Sequence, residues 1–208
     1  MQNILLSLAV AALAYLLGCI STGIIVSSQS GVNIRTLGSK NTGASNVLRV
    51  MGLKQGLVTF LGDFIKATLA CWGGSLILPG ATFGIPGYGV MLAGLFAIIG
   101  HNWPVFYHFK GGKGVACSVA VIFFVDPLLG GISIALCVAV IAIWRYISAG
   151  SMVMLLTFAI LSCAVHPTEW FRCAFAIVLL VMCVWRHRAN LTRLRNGTES
   201  KIGQKATK

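Results

Sequence analysis

Acidic residues are nearly missing. Only Asp63, Asp126, Glu169 and Glu199 stand against 16 lysines and arginines in 208 residues. Carboxylates this few and this scattered exclude a conventional metal centre, and the four histidines lack ligand spacing. The seven cysteines, at 19, 71, 117, 137, 163, 173 and 183, are odd in number, show no C-x-x-C spacing and lie in or beside apolar runs. They read as small hydrophobes, not as disulfides or metal ligands. No lysine or arginine precedes Arg35, so the basic region of a cleavable signal is lacking and the first apolar run is expected to persist as a helix. Two catalytic arrangements are also absent. The residues five beyond the histidines are Phe106, Lys113, Phe171 and Thr192, so no H-x-x-x-x-D pair exists, and no Ser-His-Asp triad is evident. There is no internal repeat or low-complexity segment.

What is abundant is apolar surface. A hydrophobic content of 57% with mean hydropathy +0.89 marks an integral membrane protein. Apolar stretches near 3–27, 55–78, 86–100, 114–125, 127–144, 150–166 and 169–185 predict an all-α fold with about seven transmembrane helices in one domain, 1–208. From about residue 195 the chain reads as a frayed polar tail. The net charge of +12 does not signal nucleic acid, because no soluble domain presents a basic face. Its cations collect in the connectors 28–54, 101–113, 145–149 and the segment from Arg186, while alternate connectors carry Asp126 and Glu169. That alternation predicts the N-terminus outside and the C-terminus cytoplasmic, with Arg172 the one cation against the pattern.

Three polar constellations interrupt the apolar chain. In 100–116, GHNWPVFYHFKGGKGVA, glycines admit close backbone approach and Lys110 and Lys113 add positive charge, so Lys110, Gly111, Gly112, Lys113 and Gly114 suit a phosphate oxyanion. This is not a nucleotide P-loop, since Tyr107 and Gly114 occupy the positions that need glycine and Ser or Thr. A connector whose lysines only set topology would look similar. The short apolar runs flanking it would leave the loop sunk in a protein-lined cavity. The connector 33–49, NIRTLGSKNTGASNVLR, offers Ser39, Asn41, Thr42, Ser45 and Asn46 between Arg35 and Arg49, the donors, acceptors and guanidinium forks a polyol phosphate needs, though also the composition of a solvated turn. In HRANLTRLRNGTE, His187, Asn190 and Arg193 share one helix face, with Gly197 and Glu199 after them. Neighbouring cations there favour a neutral histidine, the state of a general base, although an interfacial histidine is often only an anchor. Two weaker clusters are Arg145, Tyr146, Ser148 and Ser151, and the Asp63-x-x-Lys66 pair, which is either structural or turns Lys66 into a polar cavity.

Taken together, these stretches resemble the bacterial acyl-phosphate:glycerol-3-phosphate acyltransferase family (PlsY). GSKNTGASNVLR resembles its GSGN-x-GATN-x-x-R, GHNWPVFYHFKGGKGVA its GH-x-x-PVF-x-x-FKGGKGVA, and HRANLTRLRNGTE its H-x-x-N-x-x-R-L-x-x-G-x-E. The chain departs in having Cys19-Ile20-Ser21 where the family often has Ser-x-Pro, Asn33 for Asp, Lys40 for the loop glycine and Ser45 for threonine.

The resemblance implies acyl transfer from acyl phosphate to the C1 hydroxyl of glycerol 3-phosphate, without acyl-CoA, acyl carrier protein, cofactor or metal. It implies a bacterial cytoplasmic membrane location among membrane lipid, a site facing the cytoplasm and a link to a soluble enzyme that makes acyl phosphate. Chemistry agrees, since an activated donor asks mainly for juxtaposition of two anions and stabilisation of an oxyanion. On this reading Lys110, Gly111, Gly112 and the catalytic Lys113 hold one phosphate. Ser39, Asn41, Ser45 and Arg49 hold the other phosphate or the glycerol, with Ser151 at the rim. Asn46, Lys66, His101, Gly114 and Arg193 join the substrate-binding set. His187, steered by Asn190, orients or deprotonates the attacking hydroxyl, or the phosphate leaving group acts as base. Ser39 reads as a ligand in preference to an acyl-enzyme nucleophile, since no base is visibly dedicated to it. A transporter of a phosphorylated solute is the rival class, but it calls for inverted repeats and broken helices at the midplane, whereas these motifs cluster on one side.

Overall fold

Each apolar run folds as helix, because in lipid every backbone polar group needs an internal partner. The computed structural model describes residues 1–204, and no strand occurs among them. The chain divides into two compact units, Met1–Val121 and Ile122–Gln204. The first holds α1 (Gln2–Gly18), α2 (Thr22–Gln29), α3 (Ala44–Met51), α4 (Leu53–Ile77) and α5 (Tyr88–Asn102). Helix α6 (Val115–Val125) runs through the division, and the second unit continues with α7 (Pro127–Trp144), α8 (Ile147–Val165), α9 (Trp170–Arg186) and α10 (Arg188–Arg195).

Four helical stretches are long and apolar enough to cross a membrane, or five if α9 and α10, bent by 60°, count as one. This is fewer than the roughly seven the apolar runs predict. Helix α6 has 11 residues, about 17 Å, and α4 is long enough but carries Lys54, Asp63 and Lys66. The membrane character shows on the outside. Leu5, Leu8, Leu128, Val138, Ile143 and Val181 are exposed along the helices, and Trp72, Trp144, Trp170 and Trp185 are each more than half exposed near helix ends, as interfacial tryptophans are.

The first unit packs through small residues. A Cβ on Gly18 would overlap the Ala97 carbonyl, and one on Gly100 the Tyr15 carbonyl, so α1 and α5 approach at backbone distance, the geometry that small residues permit between membrane helices. Tyr15 Oη donates to the Trp103 carbonyl at 2.9 Å, closing the end of that contact. The run near 3–27 is two helices and not one. The chain breaks at Cys19–Ser21, where Ser21 is extended (φ −94, ψ 93), and the Ile20 carbonyl accepts from Lys66 Nζ at 2.5 Å.

In the second unit, Asp126 caps α7 by accepting from the Leu129 amide at 3.0 Å, with Pro127 in the first turn where its missing N–H costs nothing. The same carboxylate takes Arg172 Nη1 at 3.1 Å, while Arg172 Nε donates to Glu169 at 2.8 Å. His166 lies 3.3 Å from Asp126 and 3.1 Å from Glu169. The cation that opposed the charge pattern is thus neutralised by the two acids of its own side.

The frayed tail expected from about residue 195 is instead tied down as far as Ile202. The Ile202 amide donates to the Arg145 carbonyl at 2.8 Å, Arg145 Nη2 returns a bond to the Ile202 carbonyl at 2.6 Å, and Lys201 lies over the Tyr146 ring. The last four expected tail residues, Lys205–Lys208, lie outside the described residues.

Candidate active site

Within the first unit, Asn46 organises the 33–49 connector. It is 2% exposed. Its Nδ2 reaches the carbonyls of Asn41 (2.9 Å), Leu37 (3.1 Å) and Ile34 (3.4 Å), and its Oδ1 accepts from the Ser39 amide at 2.9 Å. All of that hydrogen-bonding capacity goes to the loop's own backbone. Asn41 Oδ1 likewise turns the chain by accepting from the Gly43 amide at 2.9 Å. What the braced loop presents outward is exposed Ser39 with half-buried Ser45 and Arg49. Lys40, where the family pattern has glycine, sits in the left-handed region at φ 57. Because a side chain there costs about 1 kcal/mol, Lys40→Gly is expected to stabilise the protein by roughly 0.5–1 kcal/mol, net of glycine's greater unfolded-state freedom. The check is thermal unfolding in detergent, where the variant should melt about 2 °C higher.

The second connector is strained and docked. His108 and Phe109 are consecutive non-glycine residues at φ 54 and 59, a conformation usually kept only where surroundings impose it. Arg35 supplies one such restraint, its Nη2 donating to the Tyr107 carbonyl at 3.1 Å and the Lys110 carbonyl at 3.4 Å. This arginine, from the opening of the first connector, ties it to the second. Beside it lies a cavity of about 300 Å³ walled by Ile24, Ser27, Val32 and Ile34.

The first two glycines of KGGKG dock the loop on α5. The Gly111 amide donates to the Asn102 carbonyl at 3.3 Å and the Gly112 amide to the His101 carbonyl at 3.0 Å, satisfying carbonyls that the end of α5 leaves open. A Cβ on Gly111 would overlap the His101 carbonyl, and one on Gly112 would overlap His101 Nε2. Their need for hydrogen side chains is therefore close docking on α5. Gly114, at φ 78, opens the turn into α6. Exposed Lys110 and half-buried Lys113 carry the charge of this loop.

Lys66 and His101 are placed beneath it. With Asp63 they are 5%, 6% and 1% exposed. Lys66 Nζ meets Asp63 Oδ1 at 2.8 Å and His101 Nδ1 at 3.1 Å as well as the Ile20 carbonyl, and Thr22 Oγ1 donates to Asp63 at 3.2 Å. The Lys66 ammonium is thus engaged by protein acceptors.

The second unit holds the remaining candidates. His187 sits at the bend between α9 and α10, 2% exposed, with Nδ1 2.9 Å from the Cys183 carbonyl. A carbonyl can only accept, so Nδ1 carries the proton and neutral His187 has its lone pair on Nε2. Ser151 donates its hydroxyl to the Ile147 carbonyl at 2.8 Å within α8. Asn190 Nδ2 and Arg193 Nε converge on one carboxylate, Glu199, at 2.6 and 2.7 Å, and Ser148 Oγ donates to it at 2.8 Å. The sequence marks Glu199 as the end of this constellation without giving it a role, and nothing in residue spacing reveals that it returns to the start of α8. Burial alone would raise its pKa, but the bonds from Asn190, Ser148 and Arg193 outweigh that and hold the carboxyl below its ordinary value.

The family profile described as Glycerol-3-phosphate acyltransferase matches residues 8–197. The chain belongs to the glycerol-3-phosphate acyltransferase family. Among its relatives, a glycerol-3-phosphate acyltransferase of Thermoanaerobacter sp. (strain X514) is 42% identical over 197 residues, covering 94% of this chain and 95% of that protein. One from Clostridioides difficile (strain 630) is 41% identical over 201 residues, covering 94% and 95%. The fold of this family member is similar to crystal structures of PlsY (YgiH), an integral membrane glycerol 3-phosphate acyltransferase. The glycerol 3-phosphate form matches with TM-score 0.84 at 35% identity over 95% of this chain and 96% of that one. The lysophosphatidic acid form matches with TM-score 0.81 at 34% identity over 95% of each.

Proposed function

We propose that this protein transfers a fatty acyl group from acyl phosphate to the C1 hydroxyl of glycerol 3-phosphate, forming lysophosphatidic acid and releasing inorganic phosphate. The observation that carries this reading is the pair of braced cationic connectors, joined by Arg35, in a member of the acyltransferase family. Acyl phosphate already has a good leaving group, so the protein has to bring two anions together against their repulsion and stabilise the charge that develops at the acyl carbonyl. Lys110 and Lys113 hold one phosphate. Ser39, Ser45 and Arg49 hold the other phosphate or the glycerol, with Asn41 and Asn46 keeping their loop in shape. Gly111, Gly112 and Gly114 set the second loop in place. His187 accepts a hydrogen bond or proton from the attacking hydroxyl, held in line by the Asn190–Glu199 pair. No cofactor or metal enters the scheme.

The reading extends to topology. Counting α4 and α6 among the crossings gives seven passages in one domain, with the N-terminus outside, the C-terminus inside and the connectors that bind substrate facing the cytoplasm of a bacterial cell. A soluble enzyme that makes acyl phosphate supplies the donor on that side, and the product leaves into membrane lipid.

The test is phosphate release by purified protein in lipid, given palmitoyl phosphate with and without glycerol 3-phosphate, and palmitoyl-CoA as the parallel donor. Release that needs glycerol 3-phosphate and yields lysophosphatidic acid is the expected result. Turnover with the thioester alone would overturn the donor, and no turnover by folded protein would turn attention to transport.

A further inference from the structure

Lys66 has three ammonium protons and three acceptors: Asp63 Oδ1 at 2.8 Å, the Ile20 carbonyl at 2.5 Å and His101 Nδ1 at 3.1 Å. An ammonium has no lone pair, so at this contact the imidazole nitrogen must accept. The direct Asp63–His101 separation, 3.5 Å, is too long to compete with these bonds. The ring's proton therefore lies on Nε2, and that nitrogen sits where a Gly112 side chain would be. A donor is thus aimed from below at the loop that carries Lys110 and Lys113.

We propose that Lys66 is a positioning residue that fixes His101 as its neutral Nε2–H tautomer, so that His101 presents a hydrogen-bond donor to the phosphate seated on the 110–114 loop. This rests on the reading that the loop holds a substrate phosphate. The titratable groups facing His101 are Asp63 and Lys66 from α4 and Cys117 from α6, whose Sγ donates to the Asp63 carbonyl at 3.3 Å. Lys110 and Lys113 lie on the loop beyond. Of these, only Lys66 puts an obligate donor on Nδ1.

The Lys66→Met variant reverses the ring. Nδ1 then takes the proton and turns it to Asp63, and neutral Nε2 points a lone pair at the phosphate. Lowering the pH adds a second proton and restores the donor. Relative to wild type at each pH, which cancels the substrates' own titration, the variant's KM for acyl phosphate or for glycerol 3-phosphate should be about tenfold higher at pH 8, with most of that excess lost at pH 6, the size expected for one hydrogen bond to a charged group. Its kcat should keep the same ratio to wild type at both values. A merely structural lysine would lower activity by one factor at both pH values, and that result overturns the proposal.

A second measurement needs no variant of Lys66. Nitrogen NMR of 15N-histidine-labelled full-length protein in lipid, with His101 assigned by replacing the other three histidines one at a time, should show a protonated Nε2 and a bare Nδ1. A protonated Nδ1 refutes the assignment. Lys113→Ala separates the inference from its basis. If it raises KM while Lys66→Met shows no pH-dependent excess, the role of Lys66 falls and the loop reading stands; if it moves neither KM, both fall.

Discussion

Replacing His187 with alanine lowers kcat by about 100-fold or more, the range for loss of a positioned general base, while the protein stays folded. The cause lies at the helix end. His187 closes α9 and opens α10, and the Cys183 carbonyl one turn earlier takes its Nδ1 proton. That bond orients the ring and leaves Nε2 as the acceptor a hydroxyl needs. Because His187 is 2% exposed, the change to alanine leaves a cavity as well as removing the hydrogen bond to the Cys183 carbonyl, and the cost in stability should be about 2 kcal/mol. Steady-state rates with saturating acyl phosphate and glycerol 3-phosphate, beside a thermal melt, make the check. A folded His187→Ala variant with wild-type kcat would assign the proton to the phosphate leaving group instead.

The sequence made the helices legible because lipid leaves the backbone few options, and each apolar run is helical. It misjudged where they stop. The run at 3–27 contains no proline, and Cys19-Ile20-Ser21 looks continuous, yet the helix breaks there. The reason lies 46 residues away, in the Lys66 ammonium that takes the Ile20 carbonyl. Tertiary hydrogen bonding of this kind has no local signal. The same limit appears in KGGKG, where the composition marked close backbone approach and carried no sign of the docking on α5. A glycine that must admit a phosphate and one that must admit a histidine ring read alike, and Gly112 meets the ring of His101. Asn46 was legible as a hydrogen-bonding residue, and only the fold shows that it braces its own loop. The charges were more informative, since ion pairs need partners and acids are so few. Asp63 beside Lys66 was visible from spacing alone, and Arg172, anomalous by topology, proves to be paired with Asp126 and Glu169.

Glu199→Ala is the substitution expected to cost most stability, about 3 kcal/mol, in line with loss of a buried hydrogen-bonded charge. Three donors from two helices meet this carboxylate, and its removal takes from Asn190 Nδ2 and the Ser148 hydroxyl the acceptor they share in a buried site. The Arg193 guanidinium is more than a third exposed, so water offsets its share, and the estimate stays below that for a fully buried pair. Glu199→Gln keeps an oxygen for Ser148 and Asn190 but turns an amide donor toward Arg193, and should lose roughly half as much. The sign of the pH dependence follows from the folded pKa lying below the ordinary 4.5. A carboxylate stabilised in the folded state contributes fully above that ordinary value and loses its contribution as pH falls through the lower folded one. The stability gap between wild type and Glu199→Gln should therefore be constant near neutral pH and shrink below about 4.5. Thermal melts of both proteins in the same detergent across that range are the measurement. A gap that persists undiminished at the acid end would mean that the ionised carboxylate is not what holds Asn190 and the returning chain against α8.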